Sequence, residues 1–207
     1  MKKLLTLTVI ATAFVCFESA AQLQKGEKAL GGTLSFTKSK SKNENGVSYV
    51  VENESTGVAI SPNLSIGIGR NWIVGVALGY LYQKNEGSSS SRNTLKGFNA
   101  GGFARKFYPI GAGKFGLFGQ GNVEYEHFKS ESGNPGSNSI GNAIGVSVQP
   151  GAYLRASKRF IIETYVGSIG YSHLTGKPEE GSAWKSTANS FHFSLIDGLT
   201  LGFKIVL

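Results

Sequence analysis

Large apolar and small residues alternate strictly along two neighbouring stretches of the chain. In residues 58–68 the even positions hold Val58, Ile60, Pro62, Leu64, Ile66 and Ile68, and the odd positions hold Ala59, Ser61, Asn63, Ser65 and Gly67. Residues 72–82 repeat the arrangement. A period of two is that of a β-strand, whose successive side chains point to opposite faces, and no helical period follows Gln22. The chain is therefore predicted to be all-β.

The composition of the two strand faces indicates which environment each face meets. The small face carries glycine, alanine, serine and asparagine; the chain has 29 glycines, and only 16% of its residues are charged. A soluble β-sandwich would place its large residues inside and leave charged residues outside. A face of small, mostly uncharged residues instead suits the narrow interior of a barrel whose large apolar residues touch lipid.

Turn-forming residues divide the chain into eight strands. We predict strands at residues 28–38, 56–68, 72–83, 94–108, 115–128, 140–155, 159–173 and 189–206. Three connections are short, and four are long and hydrophilic, at residues 39–55, 84–93, 129–139 and 174–188. This alternation is typical of outer-membrane barrels, in which short turns face the periplasm and long loops face outward. The predicted fold is an eight-stranded antiparallel up-and-down transmembrane β-barrel, with a soluble eight-stranded barrel as the alternative.

The N-terminal segment has the features of a signal peptide. The chain starts with Met-Lys-Lys, continues with an apolar run to Phe17, and has small residues just before Gln22. We therefore predict a signal peptide at residues 1–21, which is removed, and a barrel domain at residues 22–207. The apolar run is shorter than the roughly 20 residues of a membrane-spanning helix.

Charge and cysteine content restrict the chemistry of the exported chain. The single cysteine, Cys16, falls in the predicted signal peptide, so no disulfide, thiol or metal-thiolate chemistry is expected, and no cofactor or metal site is predicted. A lipoprotein signal at Cys16 is the alternative, although bulky Phe14 and Val15 precede it. The formal net charge is +8. An exported basic protein meets anionic lipid head groups rather than a genome, so we do not expect a nucleic-acid partner.

Three segments of the sequence resemble a known family. They are Gly-Phe-Ala-Arg-Lys-Phe-Tyr-Pro at residues 102–109, Phe-Gly-Leu-Phe at residues 115–118, and the alternating C-terminal residues 199–207. On these segments the chain is similar to the outer membrane protein beta-barrel domain family, the small OmpA/OmpX-type barrels of Gram-negative bacteria. The resemblance implies location in the bacterial outer membrane. It also implies that Phe203, Ile205 and Leu207 form the signal read by the barrel-assembly machinery, although the family usually ends in an aromatic residue.

The parity of each strand assigns its charged residues to the lumen or to the lipid. The predicted lumen-facing charges are Arg105, Glu124, Arg155, Glu163 and Lys204. The inward orientation of Arg105, with Phe103 and Phe107, follows from the family resemblance, because alternation in that strand is not clean. Opposite charges inside a narrow barrel are expected to pair, since an isolated buried charge is costly. We interpret the set as an ion-pair ladder that fills the lumen; a switchable gate in a narrow pore is the alternative.

Catalysis and the loops offer two further hypotheses. His192-Phe193-Ser194 has a His-x-Ser spacing that superficially resembles that of lipid A deacylases, but parity turns His192 and Ser194 into the lumen and no acid partner is evident. We therefore predict that the chain is not an enzyme. Lys38, Lys40 and Lys42 lie where the first strand leaves the outer leaflet, at the level of lipopolysaccharide phosphates. They are predicted either to contact lipopolysaccharide or only to keep a loop soluble.

These observations favour a small barrel with a structural or surface-interaction role, whose extracellular ligand the sequence does not name. A narrow gated pore is the first alternative, and a lipid-modifying enzyme is the second. Because an eight-stranded barrel has just enough interior for its own side chains, a large passive channel is not expected.

Overall fold

The computed structural model describes residues 23–45, 49–87, 92–111, 113–133, 138–178, 185–194 and 200–207, with side chains described outside residues 42–53. The described residues form eight antiparallel strands. They are β1 (Lys28–Asn45), β2 (Tyr49–Gly69), β3 (Trp72–Gly87), β4 (Arg92–Ile110), β5 (Phe115–Ser132), β6 (Ser139–Arg155), β7 in two segments (Phe160–Tyr165 and Ser168–Pro178) and β8 in two segments (Ser186–Ser194 and Thr200–Val206).

The strands close into a barrel. Each strand pairs with its neighbours along the chain. The sheet closes because β1 also pairs with β8, from Ala29 opposite Val206 to Ser35 opposite Thr200. The prediction of an eight-stranded antiparallel up-and-down β-barrel is thereby confirmed. Within the described ranges, no helix is long and apolar enough to cross a membrane.

The four predicted long loops are wrong in extent, because most of their residues continue the strands. β1 and β2 remain paired as far as Asn45 opposite Tyr49, well inside the predicted loop 39–55. The other three predicted loops likewise shorten to the gaps between β3 and β4, β5 and β6, and β7 and β8. A tilted strand crosses a membrane in about 9–11 residues. β2 has 21 residues, so its outer part projects beyond that span.

The predicted faces of the strands are confirmed where side chains are described. Val76, Leu78 and Phe98 are about 60% exposed on the outer surface, whereas Asn63, Gln120 and Asn122 are buried in the lumen. Phe103, Arg105 and Phe107 of β4 point inward, as the family resemblance implied. Residues 195–199 lie outside the described residues.

A β-bulge interrupts β7 opposite a proline of β6. Gly151 pairs with Tyr165 and Val148 pairs with Ile169, so β7 has one extra residue across this interval. Pro150 lies within the interval and has no N–H to donate to the ladder, while its carbonyl accepts a hydrogen bond from the Val166 nitrogen at 3.0 Å. Gly167 takes the positive φ of 71° that the bulge requires.

The hydrophobic core forms a floor across one end of the lumen. We call this the inner end; it carries the short turns between β2 and β3, β4 and β5, and β6 and β7. The floor consists of Leu23, Ala29, Ile73, Phe103, Phe107, Phe118, Tyr153, Ile161 and Val206. Leu23 precedes β1, and hydrogen bonds between Gly26 and Gly67 (2.8 Å) and between Gly67 and Glu27 (2.9 Å) hold its segment against the barrel wall. The described side chains therefore close the lumen at its inner end.

Candidate functional site

A buried charged cluster lies in the lumen among the aromatic residues of the floor. Arg105, Glu163 and Lys204, from β4, β7 and β8, are each at most 2% exposed. Arg105 forms an ion pair with the Glu163 carboxylate through Nη1. Its Nε donates to Oε1 of Gln120 at 2.8 Å, and its Nη2 donates to that oxygen and to the Tyr165 hydroxyl. Each of the three guanidinium nitrogens therefore donates at least one hydrogen bond.

Aromatic rings complete the surroundings of Arg105. Its guanidinium carbon lies 4.3 Å from the centroid of the Phe118 ring, 5.6 Å from that of Phe107 and 5.6 Å from that of Tyr165. A cation over the face of an aromatic ring is attracted by the ring quadrupole, and more strongly where water is excluded. The floor thus stabilises Arg105 by its ring faces as well as by packing.

Lys204 gives the buried cluster a net positive charge. Its ammonium group donates to Ser65 Oγ at 3.2 Å and lies 3.5 Å from Asn63 Oδ1, and among the described residues it forms no ion pair. It lies 5.5 Å from the centroid of the Phe103 ring. The cluster accordingly holds two cations and one carboxylate.

The structure brings together three of the five predicted luminal charges. Arg155 lies at the inner end, where its guanidinium donates to the backbone oxygens of Ser157, at 3.1 Å, and Lys158. Glu124 faces the outer part of the lumen and forms no ion pair within the described part of the chain. The described lumen therefore contains one charged cluster rather than a continuous ladder. Its role as a filler or as a gate stays a prediction.

The lumen is hollow on the outer side of the cluster. One cavity of about 180 Å³ is lined by Arg105, Asn122 and Glu124 among others, and a second of about 260 Å³ shares Glu124 with it. We call the two cavities together the vestibule. Most of its lining residues are polar or small, and it reaches the charged cluster from the outer side.

Two titratable residues, His192 and Glu126, also line the vestibule, and sequence analysis did not identify Glu126. His192 lines the second cavity, as its parity predicted, and its neighbours Phe191 and Phe193 are 72% and 60% exposed on the outer surface. Glu126 lines the same cavity. It shares the parity of Glu124, so alternation along β5 could have identified it. Glu124 and Glu126 therefore share a cavity with His192, although among the described residues no hydrogen bond or ion pair joins either carboxylate to the imidazole. The described residues contain no group of three or more side chains suited to hold a metal ion.

Three carboxylates on the outer parts of the strands are each bridged by two cations. Glu54 pairs with Lys38 at 2.9 Å and with Lys40 at 3.1 Å. The other two sets are Glu86 with Lys84 (2.8 Å) and Arg92 (2.9 Å), and Glu131 with Lys96 (2.8 Å) and Lys129 (3.6 Å). We call these the outer clusters. Each contains two positive charges and one negative charge, so each is net positive.

The electrostatics of the outer clusters favour the charged form of the three carboxylates. Hydrogen bonds from Lys38 and then Lys40 lower the pKa of Glu54 below its ordinary value. Lys84 and then Arg92 lower the pKa of Glu86, and Lys96 lowers that of Glu131. The carboxylates consequently stay ionised at neutral pH. Two of the three lysines predicted to contact lipopolysaccharide are thus paired, and the side chain of Lys42 lies outside the described residues.

The residues of the predicted assembly signal lie on the outer surface of β8 and just beyond it. Phe203 is 45% exposed, Ile205 41% and Leu207 70%, and they alternate with buried Lys204 and Val206. Recognition of this strand by the barrel-assembly machinery stays a prediction.

A closed antiparallel barrel with an apolar exterior and a polar lumen defines the class of outer-membrane β-barrels. Within that class, the family model described as the autotransporter beta-domain matches residues 28–196, and the chain belongs to this family. The resemblance to an outer-membrane barrel is therefore confirmed, while the matching family is not the OmpA/OmpX-type one. No curated protein matches the chain.

Solved structures of outer-membrane barrels are similar to the chain in fold. The outer membrane protein OprG from Pseudomonas aeruginosa is 12% identical with a TM-score of 0.57, covering 91% of this chain and 99% of its own. A major outer membrane protein from Thermus thermophilus is 11% identical with a TM-score of 0.50, covering 88% and 99% respectively. Neisserial surface protein A is 13% identical with a TM-score of 0.47, covering 87% and 97%. At such identities the similarity to OprG and to the Thermus thermophilus protein shows a shared fold and no more.

Proposed function

We propose that the chain is a closed outer-membrane barrel that binds the anionic lipopolysaccharide surface through its outer clusters. In this proposal the barrel resembles the small OmpA/OmpX-type barrels in its role, and residues 1–21 are removed as a signal peptide. The carrying observation is that three carboxylates at the outer end are each bridged by two cations, which leaves every cluster net positive. Lipopolysaccharide phosphates lie at that level of the membrane.

The closed floor supports an interaction role over transport of large solutes. Phe107, Phe118 and Tyr153 are at most 3% exposed and pack edge-on across the inner end, with ring centroids of neighbouring pairs 5.1–6.0 Å apart. A polypeptide or a nutrient of ordinary size has no path through this packing. The outer clusters, in contrast, are exposed on rigid paired strands, where binding residues are commonly placed.

Charge-changing variants of one outer cluster test the proposal. We expect Lys38→Gln/Lys40→Gln to weaken lipopolysaccharide binding about thirty-fold, because two cations near an anionic surface are removed and each contributes about 1 kcal/mol. Glu54→Gln should strengthen binding several-fold, because it frees both lysines. The measurement is the affinity of the refolded barrel for purified lipopolysaccharide in detergent micelles.

The matched control is Lys158→Gln/Arg159→Gln, which removes the same charge at the inner end and should leave the affinity unchanged. Equal affinity in all four proteins would overturn the proposal and leave a structural role.

We also propose that the chain is not an enzyme, since Phe191 and Phe193 rather than His192 face the bilayer. Mass spectrometry of the recovered lipid A should show intact acyl chains, and loss of a chain would contradict this.

A narrow gated pore is the second candidate, supported by the vestibule that reaches Arg105. Water from the outer end is separated from the inner end by the charged cluster and the floor. A gate at the Arg105–Glu163 pair would give brief openings in a planar bilayer, and Glu163→Gln would make them more frequent. If the barrel is closed, as proposed, neither the wild-type protein nor Glu163→Gln should show channel openings. Glu124→Gln, which leaves the pair intact, is the control, and insertion is checked by the mobility difference between boiled and unboiled samples.

A further inference from the structure

The inner end of the barrel carries a belt of accessible cations. The inner basic belt consists of Lys25, Lys28, Arg70, Lys106, Lys158 and Arg159. None of the six forms an ion pair among the described residues. Glu27 is the one acidic side chain described near them, and its carboxylate accepts a hydrogen bond from the Gln24 backbone nitrogen at 2.7 Å rather than pairing with a member of the belt. The belt therefore carries six positive charges against one described carboxylate and is strongly net positive.

Exposed aromatic residues place the belt at the membrane interface. Trp72, Tyr108, Phe115 and Phe160 lie at the inner ends of their strands and are 37–53% exposed on the outer surface. Aromatic girdles of this kind mark the level of the lipid head groups. Lys106 lies directly opposite Trp72, and its ammonium group is 5.3 Å from the Trp72 ring centroid and 5.7 Å from that of Tyr108. Its charge is thus held beside the rings at head-group level.

Two tight turns fix further members of the belt. Ser157 Oγ accepts hydrogen bonds from the backbone nitrogens of Arg159 (3.3 Å) and Phe160 (3.1 Å). Arg155 donates to the backbone oxygens of Ser157 and Lys158 in the same turn. On the neighbouring hairpin, Gly69 and Asn71 have φ values of 128° and 71° and place Arg70 at the tip. Because these backbones are already ordered, binding there costs little additional entropy.

We propose that the inner basic belt binds anionic phospholipid head groups of the inner leaflet and enriches them around the barrel. The ligand chemistry is a phosphate diester without a compensating amine, as in phosphatidylglycerol. A lipid is favoured over a soluble acidic partner because Lys28 and Lys106 have the parity of the lipid-facing residues Leu30 and Tyr108. The inference is independent of the proposed lipopolysaccharide binding, which concerns the opposite end.

Tryptophan quenching by brominated lipids measures this enrichment directly. Trp72 lies inside the belt, and Trp184, the second tryptophan of the chain, is replaced in a Trp184→Phe background. The mature barrel is reconstituted in vesicles of phosphatidylcholine with increasing phosphatidylglycerol, with one or the other lipid brominated. The ratio of quenching gives the relative affinity of the two lipids beside Trp72. We expect phosphatidylglycerol to be preferred about five-fold at low salt, since that is the effect of one cation near an anionic surface.

Substitutions at the two ends of the barrel show whether the lipid preference beside Trp72 comes from the inner basic belt or from the overall charge of the protein. Lys28→Gln/Lys106→Gln should lower the ratio, because Lys106 supplies the cation beside Trp72, Lys106→Arg should preserve it, and Lys38→Gln/Lys40→Gln at the outer end should leave it unchanged. If the double variant does not fold, the wild-type ratio must still fall towards one in 1 M salt, where the screening length is about 3 Å. A wild-type ratio of one, or a ratio unchanged by salt and by the double variant, would overturn the proposal. A ratio of one together with binding of soluble polyglutamate would assign the belt to an acidic periplasmic protein instead.

Discussion

Replacing Glu163 with glutamine should lower the free energy of unfolding of the barrel by about 3–5 kcal/mol. Glu163 is the one carboxylate in a buried cluster that also contains Arg105 and Lys204. A neutral amide leaves both cations without a counter-charge in a place where water cannot solvate them. Breaking a buried pair by removing one partner costs more than the pair itself contributes, because the remaining charge stays desolvated. The measurement is urea unfolding in phospholipid vesicles, followed by gel mobility.

Two companion variants identify charge imbalance as the cause. Lys204→Met should change stability by no more than about 1 kcal/mol, since it leaves a neutral Arg105–Glu163 pair. Combining it with Glu163→Gln should recover part of the loss, because one buried cation remains instead of two. Glu124→Gln, in the open vestibule, is the control and should have little effect. Equal costs for Glu163→Gln and Glu124→Gln would show that the cluster does not depend on its charge balance.

Alternation in the sequence predicts the inward orientation of Glu163 and Lys204, and the family resemblance predicts that of Arg105, but neither predicts the exact extent of the cluster. Arg105, Glu163 and Lys204 share the inward parity of three strands, and closure of the sheet brings strands that are distant in sequence to one height. Arg155 has inward parity too, yet it lies at the end of β6, where carbonyl oxygens of the turn bind its guanidinium. The odd or even position of a residue specifies the strand face on which it lies, but it does not specify which groups lie near it along the barrel axis. For that reason the sequence predicts a ladder where the described residues form a single cluster.

Sequence reasoning misses the outer parts of the strands for a different physical reason. Residues 39–55 are rich in serine, asparagine and charge, which is the composition of loops. In the structure the same polarity is compatible with a strand, because the backbone ladder continues and Lys40 faces Glu54 directly across the pair. Cross-strand ion pairs thus replace lipid-facing apolar residues beyond the membrane. The sequence singles out Lys38 and Lys40, but the carboxylate that they share is visible only once the register is known.

The second large effect is expected at the centre of the floor, where Phe118→Ala should destabilise the barrel by about 3–5 kcal/mol. Phe118 is 2% exposed, and its ring packs edge-on against Phe107 and Tyr165 with centroids 6.0 Å and 5.2 Å away. The same ring supports the Arg105 guanidinium at 4.3 Å. Removal of the ring leaves a cavity that rigid paired strands cannot collapse, and it also exposes the cluster to water from the vestibule. Urea unfolding in vesicles measures the loss.

A matched phenylalanine on the lipid-facing surface separates cavity formation from the loss of a ring as such. Phe98 is 64% exposed, and its ring contacts Tyr80 at 5.0 Å. Phe98→Ala should cost no more than about 1 kcal/mol, because acyl chains occupy the vacated volume and only one aromatic pair is lost. Phe118→Leu should recover more than half of the stability lost in Phe118→Ala, since it refills most of the space without restoring the ring face over Arg105. If Phe118→Ala and Phe98→Ala proved equally stable, the inner end would be loosely packed, and the argument that the floor closes the lumen to solutes would fail with it.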